Sequence, residues 1–296
     1  MDDNAVTIVG KGKQVNPATN FMSTQKSRNL PLRVLSIGGS DSGGSAGIQS
    51  DLKTYEAHGV FGTTALTVVT AQNTIGVQQA LPLPIDLILA QIESVLSDIR
   101  PDAIKTGLLG RAEVVGLVAE KIKAYGPIPL VVDPVLVNGK GDLIVAPETL
   151  DAYREQLFPL ATVITPNLDE AARLVGKSVG FVQRQDALHM LAFELRKFGS
   201  QVVVVKGGHL PGNQIGDVVY DGTEFVKIQV ARLPIENPHG VGCTFASAVA
   251  ANLAKGVIPA MAVRSAHAYL QSALKAALEW KVGAGRTPVN HRGGRV

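Results

Sequence analysis

The stretch His239-Gly240-Val241-Gly242-Cys243-Thr244 runs from a two-glycine turn straight into an alanine-rich segment that reads as a helix. At a helix start the first backbone N–H groups lack intrahelical partners, and the aligned peptide dipoles leave roughly half a positive charge there. A phosphate or a developing oxyanion is stabilised in such a place. Gly240 and Gly242 give the turn the backbone freedom to converge several N–H groups on one cluster of oxygens. Cys243, the only cysteine of the chain, falls in the first helical turn, where the dipole favours thiolate character. The plain alternative for it is a small buried apolar residue.

A second glycine-rich loop carries four glycines before Ala46, in Gly38-Gly39-Ser40-Asp41-Ser42-Gly43-Gly44-Ser45-Ala46. It follows an apolar run and precedes a helical one, so its backbone can approach a planar or phosphorylated ligand. Asp41 and Gln49 add a carboxylate and an amide. A flexible connector with an aspartate cap is the competing reading. Asp133, Asn167 and Glu170 are oxygen ligands of the kind Mg²⁺ takes, with Asp133 at a strand end and Asn167 and Glu170 on one face of a helix's first turn. Asn167 and Glu170 also fit a helix cap with its reciprocal acidic partner. Lys206, in Lys206-Gly207-Gly208-His209, leaves a strand on the same side and reaches towards phosphate, unless it is simply solvated. Two nucleotide signatures fail. Phe245 occupies the third glycine position of a dinucleotide fingerprint begun at Gly240, and Ala171 replaces the leading glycine of a P-loop ending in Gly176-Lys177-Ser178.

Positioning these residues requires a scaffold, and the chain alternates strand and helix patterns. Strands are expected at 33–38, 61–70, 76–81, 102–106, 130–133, 161–165 and 201–206, and helices at 48–58, 85–99, 112–125, 147–157, 167–175, 186–198, 242–254 and 259–280. Residues 216–220 and 224–230, split by Asp221-Gly222, predict a hairpin. Such alternation predicts a mostly parallel sheet with helices on both faces, binding ligands beyond the strand C-termini. Residues 1–30 lack a sustained period and read as a disordered extension, with an edge strand at 6–9 as the alternative, ahead of a single domain over 31–296.

Composition narrows the partners. The net charge of +3 comes from 28 basic and 25 acidic residues with no basic block, which argues against nucleic acid and for a small molecule. No apolar run approaches the roughly 18 residues of a membrane span, and the start of the chain lacks a basic-then-apolar leader, so a soluble protein is expected. A single cysteine excludes an intrachain disulfide and a multi-cysteine zinc site, and suits the cytoplasm.

Taken together, Gly39-Ser40-Asp41-Ser42-Gly43-Gly44, Ala46-Gly47-Ile48-Gln49, Ala71-Gln72-Asn73-Thr74, Thr165-Pro166-Asn167, Lys206-Gly207-Gly208-His209 and His239-Gly240-Val241-Gly242-Cys243-Thr244 resemble the hydroxymethylpyrimidine/phosphomethylpyrimidine kinases of thiamine biosynthesis, and Pro288, Asn290 and His291 look like that family's closing motif. The resemblance spans about residues 33–291. It implies a ribokinase-like three-layer α/β/α sandwich with a mostly parallel central sheet and a small β-hairpin. It also implies ATP- and Mg²⁺-dependent phosphorylation of 4-amino-5-hydroxymethyl-2-methylpyrimidine, first to the monophosphate and then to the pyrophosphate. By the same resemblance Gln49, Asp41 and Ala46 would line the pyrimidine pocket. Gly240 and Gly242 would shape an anion hole, and Cys243 would stand where related sugar kinases carry a catalytic aspartate. Asp133, Asn167, Glu170 and Lys206 would serve metal and phosphate, and the relatives suggest a homodimer. Val241 replaces the family's usual threonine and Leu108 its usual methionine. These departures keep a vitamin B6 (pyridoxal) kinase in view as the second reading. A non-catalytic ligand-binding member of the fold and a dinucleotide oxidoreductase are more remote.

Overall fold

Every residue of Val202–Val205 is buried, yet the side chains divide between two cores: Val203 and Val205 join one cluster, Val202 and Val204 the other. Successive side chains of a strand point to opposite faces, so a run apolar at every position needs a helical layer on both. Leu130–Val132 divides in the same way, with Val131 facing away from Leu130 and Val132.

The computed structural model describes residues 30–139, 141–178, 186–208, 210, 212–235 and 237–294. The expected extension, apart from Leu30, and His209 lie outside the described residues. Pro31–Val296 forms one unit. Its first half contains β1 (Arg33–Asp41), α1 (Gly47–Ala57), β2 (Phe61–Gln72), β3 (Val77–Pro82), α2 (Ile85–Ser94), β4 (Ala103–Thr106), α3 (Ala112–Tyr125) and β5 (Leu130–Val132). The second half adds α4 (Glu148–Ala152), β6 (Val163–Ile164), α5 (Leu168–Leu174), α6 (Ala187–Arg196), β7 (Val202–Val205), β8 (Gln214–Tyr220), β9 (Phe225–Ala231), α7 (Val241–Ala254) and α8 (Pro259–Lys275).

The strands form one sheet of order β3-β2-β1-β4-β5-β6-β7-β8-β9. From β2 to β7 all neighbours pair in parallel, while β3 at one edge and β8 and β9 at the other pair antiparallel. Helices α1, α7 and α8 cover one face and α2 to α6 the other, giving three layers. The chain leaves β1 towards β2 on one side and later returns as β4 on the other. In sheets of this kind ligands bind at such a switch point, beyond the strand C-termini.

Three element ends differ from their sequence expectation. The helix expected over 85–99 is α2 followed by a π-helical turn, Val95–Ile99, which ends with Arg100 in the left-handed region at φ 55°. The helix expected over 147–157 likewise changes at Ala152 to a π-helical turn, Tyr153–Leu157. Apolar spacing alone does not register such a change of pitch. At the end of the chain α8 stops at Lys275, although Ala277 is still buried. The hairpin is present, but it turns over four residues rather than two. Asp221 Oδ1 accepts from the Thr223 N–H, the Thr223 hydroxyl and the Glu224 N–H, and these donors hold its carboxyl down at about 2.

Residues 288–291 close the fold against α1 and α7. His291 is 7% exposed, and its Nε2 lies 3.2 Å from Ser50 Oγ and 3.1 Å from Thr244 Oγ1. Burial, with Lys53 adding to it, pushes the His291 ring down to about 4, so the ring is neutral in the fold. An unfolded histidine titrates near 6.5. Between those values the unfolded chain binds more protons, so stability present above about pH 6.5 is lost as the pH falls towards 4. The expected loss from this one ring is about 2 kcal/mol at pH 5. Urea unfolding at pH 7 and pH 5 measures it: His291→Gln should weaken the pH dependence by that amount, and an unchanged dependence would refute the assignment.

Candidate active site

The glycine loop after β1 is organised by its own aspartate. Asp41 Oδ1 accepts from the Gly43 N–H at 2.8 Å, and Oδ2 from those of Ser45 and Ala46 at 2.9 and 2.8 Å. Ala46, at the cap of α1, has no side chain able to accept, and Asp41 instead fixes the entry to the helix by accepting the Ala46 N–H from five residues away. Gln49 is engaged at both ends of its amide: Oε1 accepts from the Asp41 N–H and Nε2 donates to Ser40 Oγ, each at 2.8 Å. Both side chains therefore shape the loop. Gln72, at the end of β2, is the glutamine whose amide spans two loops, with Nε2 2.8 Å from His239 Nε2. An amide nitrogen only donates, so His239 Nε2 accepts. Burial, with Arg286 reinforcing it and Asp41 opposing, lowers the His239 pKa and keeps that lone pair available.

The turn into α7 packs against this loop. Gly240 has φ 82°, and a Cβ built on it would lie 1.7 Å from the Ser45 carbonyl oxygen, so only glycine fits both the angle and the contact. The first helical hydrogen bond runs from the Thr244 N–H to the Gly240 carbonyl, at 2.9 Å. The N–H groups of Val241, Gly242 and Cys243 precede it and have no intrahelical acceptor. A Cβ on Gly242 would stand 3.1 Å from Lys206 Nζ and 3.6 Å from Asp133 Oδ2, which places the turn directly over the cation and carboxylate.

Cys243 is half-buried, and its sulfur accepts from the Gly47 N–H at the start of α1. Its thiol departs from the thiolate expectation. Burial pushes it up to about 11, with Lys105 and the Gly47 N–H opposing and Asp51 and Asp133 adding, so the thiol form is favoured at neutral pH. Because the chain has one cysteine, alkylation reads this group alone. The iodoacetamide rate is expected to climb about tenfold per pH unit from pH 7 to pH 10, as thiolate forms. A plateau reached by pH 8 would show a lowered pKa instead.

On the phosphate side, Asp133 Oδ1 accepts from Lys206 Nζ at 3.0 Å and Thr165 Oγ1 at 3.1 Å, leaving Oδ2 towards Gly242. Burial works against the Lys206 charge, but Asp133 and Glu170 outweigh it and raise its pKa. Asn167 and Glu170 form the capping box of α5: Asn167 Oδ1 accepts from the Glu170 N–H at 2.9 Å, and Glu170 Oε2 from the Asn167 N–H at 2.8 Å. Glu170 Oε1 accepts from the Leu136 N–H, and burial, with Asp133 nearby, raises its carboxyl to about 7. Among the described residues no three His, Cys, Asp or Glu side chains cluster as a ready-made metal cage. A nucleotide-bound Mg²⁺ needs only one or two carboxylates, the rest of its shell being phosphate and water. Asp133, with Oδ2 facing the turn, fits that requirement, whereas both carboxylate oxygens of the buried Glu170 already accept from backbone N–H groups.

All ten residues singled out from the sequence lie at one end of the sheet, at or just beyond the C-termini of β1, β5, β6 and β7, in the first turns of α1 and α5, and at the start of α7. The fully buried pair Lys105–Asp51, at 2.9 Å beneath Cys243, was not among them. Asp51 overrides burial and raises the Lys105 pKa, and its carboxylate also accepts from Ser36 Oγ and Ser247 Oγ. A lysine inside an otherwise apolar strand was the available signal, since such a charge requires a partner.

A doubly wound sheet with an anion-binding turn, a paired lysine and carboxylates beyond its strands defines a ribokinase-like kinase. The phosphomethylpyrimidine kinase family model matches residues 41–290, and the chain belongs to that family. A hydroxymethylpyrimidine/phosphomethylpyrimidine kinase of Streptomyces coelicolor is 46% identical over 261 residues, which is 88% of this chain and 94% of that one. Its counterpart in Rhizobium meliloti is 43% identical over 257 residues, covering 87% and 96%. Among solved structures, an ADP complex of Bacillus subtilis pyridoxal kinase superposes with a TM-score of 0.83 at 38% identity, covering 89% of this chain and 98% of that one.

Proposed function

We propose that the protein transfers the γ-phosphoryl group of ATP to the hydroxymethyl oxygen of 4-amino-5-hydroxymethyl-2-methylpyrimidine, and then a second phosphoryl group to the monophosphate, in thiamine biosynthesis or salvage. The observation that carries this reading is the approach of Gly242 to Lys206 and Asp133 while Cys243 touches Gly47. Donor and acceptor sides thereby meet at one turn. Relatives named for both phosphorylations, over nearly their full length, support the substrate.

Phosphoryl transfer depends on positioning and charge stabilisation more than on covalent chemistry. The N–H groups of Val241, Gly242 and Cys243 receive the equatorial oxygens of the transferring group, and Lys206 neutralises developing charge. Asp133, with Glu170 near it, would hold Mg²⁺, and the ion would add to the neutralisation of the phosphates. The protonated Cys243 orients the hydroxymethyl oxygen rather than standing ready as a base. Asp41, Ala46 and Gln49 present the loop backbone to the ring, with Gln72 alongside, and Asn167 holds Glu170 in place.

The second reading, a pyridoxal kinase, is favoured by the likeness to the Bacillus subtilis structure and by Leu108, whose Cδ2 would lie 3.4 Å from a Cβ at Gly39 on the substrate loop. An ADP-release assay across hydroxymethylpyrimidine, its monophosphate, pyridoxine and pyridoxal separates the two. Turnover is expected with the first two, and turnover confined to the B6 compounds would replace the leading reading. We also place the enzyme in the cytoplasm, which suits an unpaired cysteine. Among the described residues no helix is long and apolar enough to cross a membrane. A homodimer is supported by the exposed Ile75, Val77 and Leu81 at the β3 edge, and sedimentation velocity measures it.

A further inference from the structure

The segment 285–291 threads past three parts of the site. The Arg286 N–H donates to the Thr74 carbonyl at 2.8 Å, just beyond Gln72. Its guanidinium donates to the Pro238 carbonyl at 3.1 Å, and the His239 N–H donates to the Thr287 carbonyl at 2.8 Å. His239 and Pro288 pair as a parallel bridge at the entry to the anion-binding turn. The segment ends at His291, whose Nε2 meets Thr244 Oγ1 at 3.1 Å and Ser50 Oγ at 3.2 Å, while those hydroxyls lie 3.0 Å apart. The Tyr269 hydroxyl holds the His291 carbonyl from α8.

Thr244 directly follows Cys243 and closes the first turn of α7, while Ser50 lies in the first turn of α1, next to the Gly47 N–H that touches the Cys243 sulfur. The closed contact among His291, Ser50 and Thr244 therefore ties together the two helix starts that bracket Cys243. A turn that aims three N–H groups at one phosphoryl must hold its register to a fraction of an ångström, and a displacement of about 1 Å can cost a hundredfold in rate. Gly240 cannot supply that rigidity, since glycine is the residue least restrained by its own sterics.

We propose that His291 is a positioning residue for phosphoryl transfer: from the C-terminal segment it locks Thr244, and through Thr244 the anion-binding turn and Cys243, against the start of α1. This rests on the kinase reading of the site but not on which alcohol is phosphorylated. ATP and its metal bind by other groups as well, so the effect falls on the chemical step.

The test uses the full chain with His291→Ala, His291→Gln and Thr244→Val, followed by steady-state kinetics with the best acceptor from the substrate panel and by alkylation of Cys243. His291→Ala is expected to lower kcat at least about tenfold, with KM for ATP within about twofold, and to speed alkylation at least about fivefold as the sulfur loosens from Gly47. His291→Gln, whose terminal amide reaches the position of Nε2, should recover most of both. Thr244→Val should reproduce the losses and add little when combined with His291→Ala. It also carries the test should His291→Ala fail to fold. Both variants retaining wild-type kcat and alkylation rates would overturn the proposal. A loss of activity explained wholly by a smaller folded fraction would overturn it too. If no alcohol is turned over by the wild type, the kinase reading fails, and the alkylation rates still decide whether His291 holds the turn.

Discussion

Replacement of Cys243 by alanine is expected to lower kcat roughly a hundredfold or more while leaving the fold in place. The side chain is half-buried and small, and its hydrogen-bond donor is the Gly47 N–H. Its loss should therefore change unfolding free energy by no more than about 1 kcal/mol. The rate loss has a different origin. On the proposed reading the sulfur, which touches the start of α1 while its own N–H belongs to the turn into α7, stands where the acceptor hydroxyl meets the phosphoryl group. With the thiol raised to about 11, it acts on geometry at neutral pH, and Cys243→Ser should retain more activity than Cys243→Ala. Steady-state ADP release and thermal denaturation measure the two effects separately. An unchanged kcat in Cys243→Ala would reduce the residue to packing.

Lys206→Met is expected to lower kcat/KM by roughly 10²–10³. The ammonium lies 3.0 Å from Asp133 Oδ1 and would be 3.1 Å from any Cβ at Gly242, so no other cation stands as close to the turn among the contacts described. Methionine keeps the length and the apolar stem but leaves Asp133 with Thr165 as its side-chain donor. Two consequences separate charge from fold. Lys206→Arg should recover part of the rate, and the far-UV spectrum of Lys206→Met should match wild type. A kcat/KM within about threefold of wild type would show that the phosphates are neutralised elsewhere.

The expected strand–helix alternation could be read because burial on both sheet faces writes itself into composition: Val202–Val205 has no polar position to spare. The turn into α7 could be read because its features are local, with glycine at a left-handed angle, a helix beginning and N–H groups without an intrahelical acceptor. For Asp41 the sequence left a ligand group and a loop cap both open, and for Gln49 it gave no sign of a role within the loop. Their side chains look available in one dimension, and only the folded loop shows the N–H groups of Gly43, Ser45 and Ala46 gathered on one carboxylate. Asn167 and Glu170 illustrate the middle case. Their spacing fits both a capping box and a metal-side pair, and the structure shows the cap, with burial and, behind it, Asp133 raising Glu170 against Lys206.

By itself, then, the sequence determined the layered α/β architecture and the two glycine loops, because each rests on contacts between near neighbours in the chain. Only the tertiary structure decided the protonation of Cys243, the burial of Lys105 on Asp51 and the grip of His291 on Thr244. Those depend on groups tens of residues apart sharing a volume from which water is excluded. Charge and hydrogen-bond strength there are set by the neighbours that folding brings together.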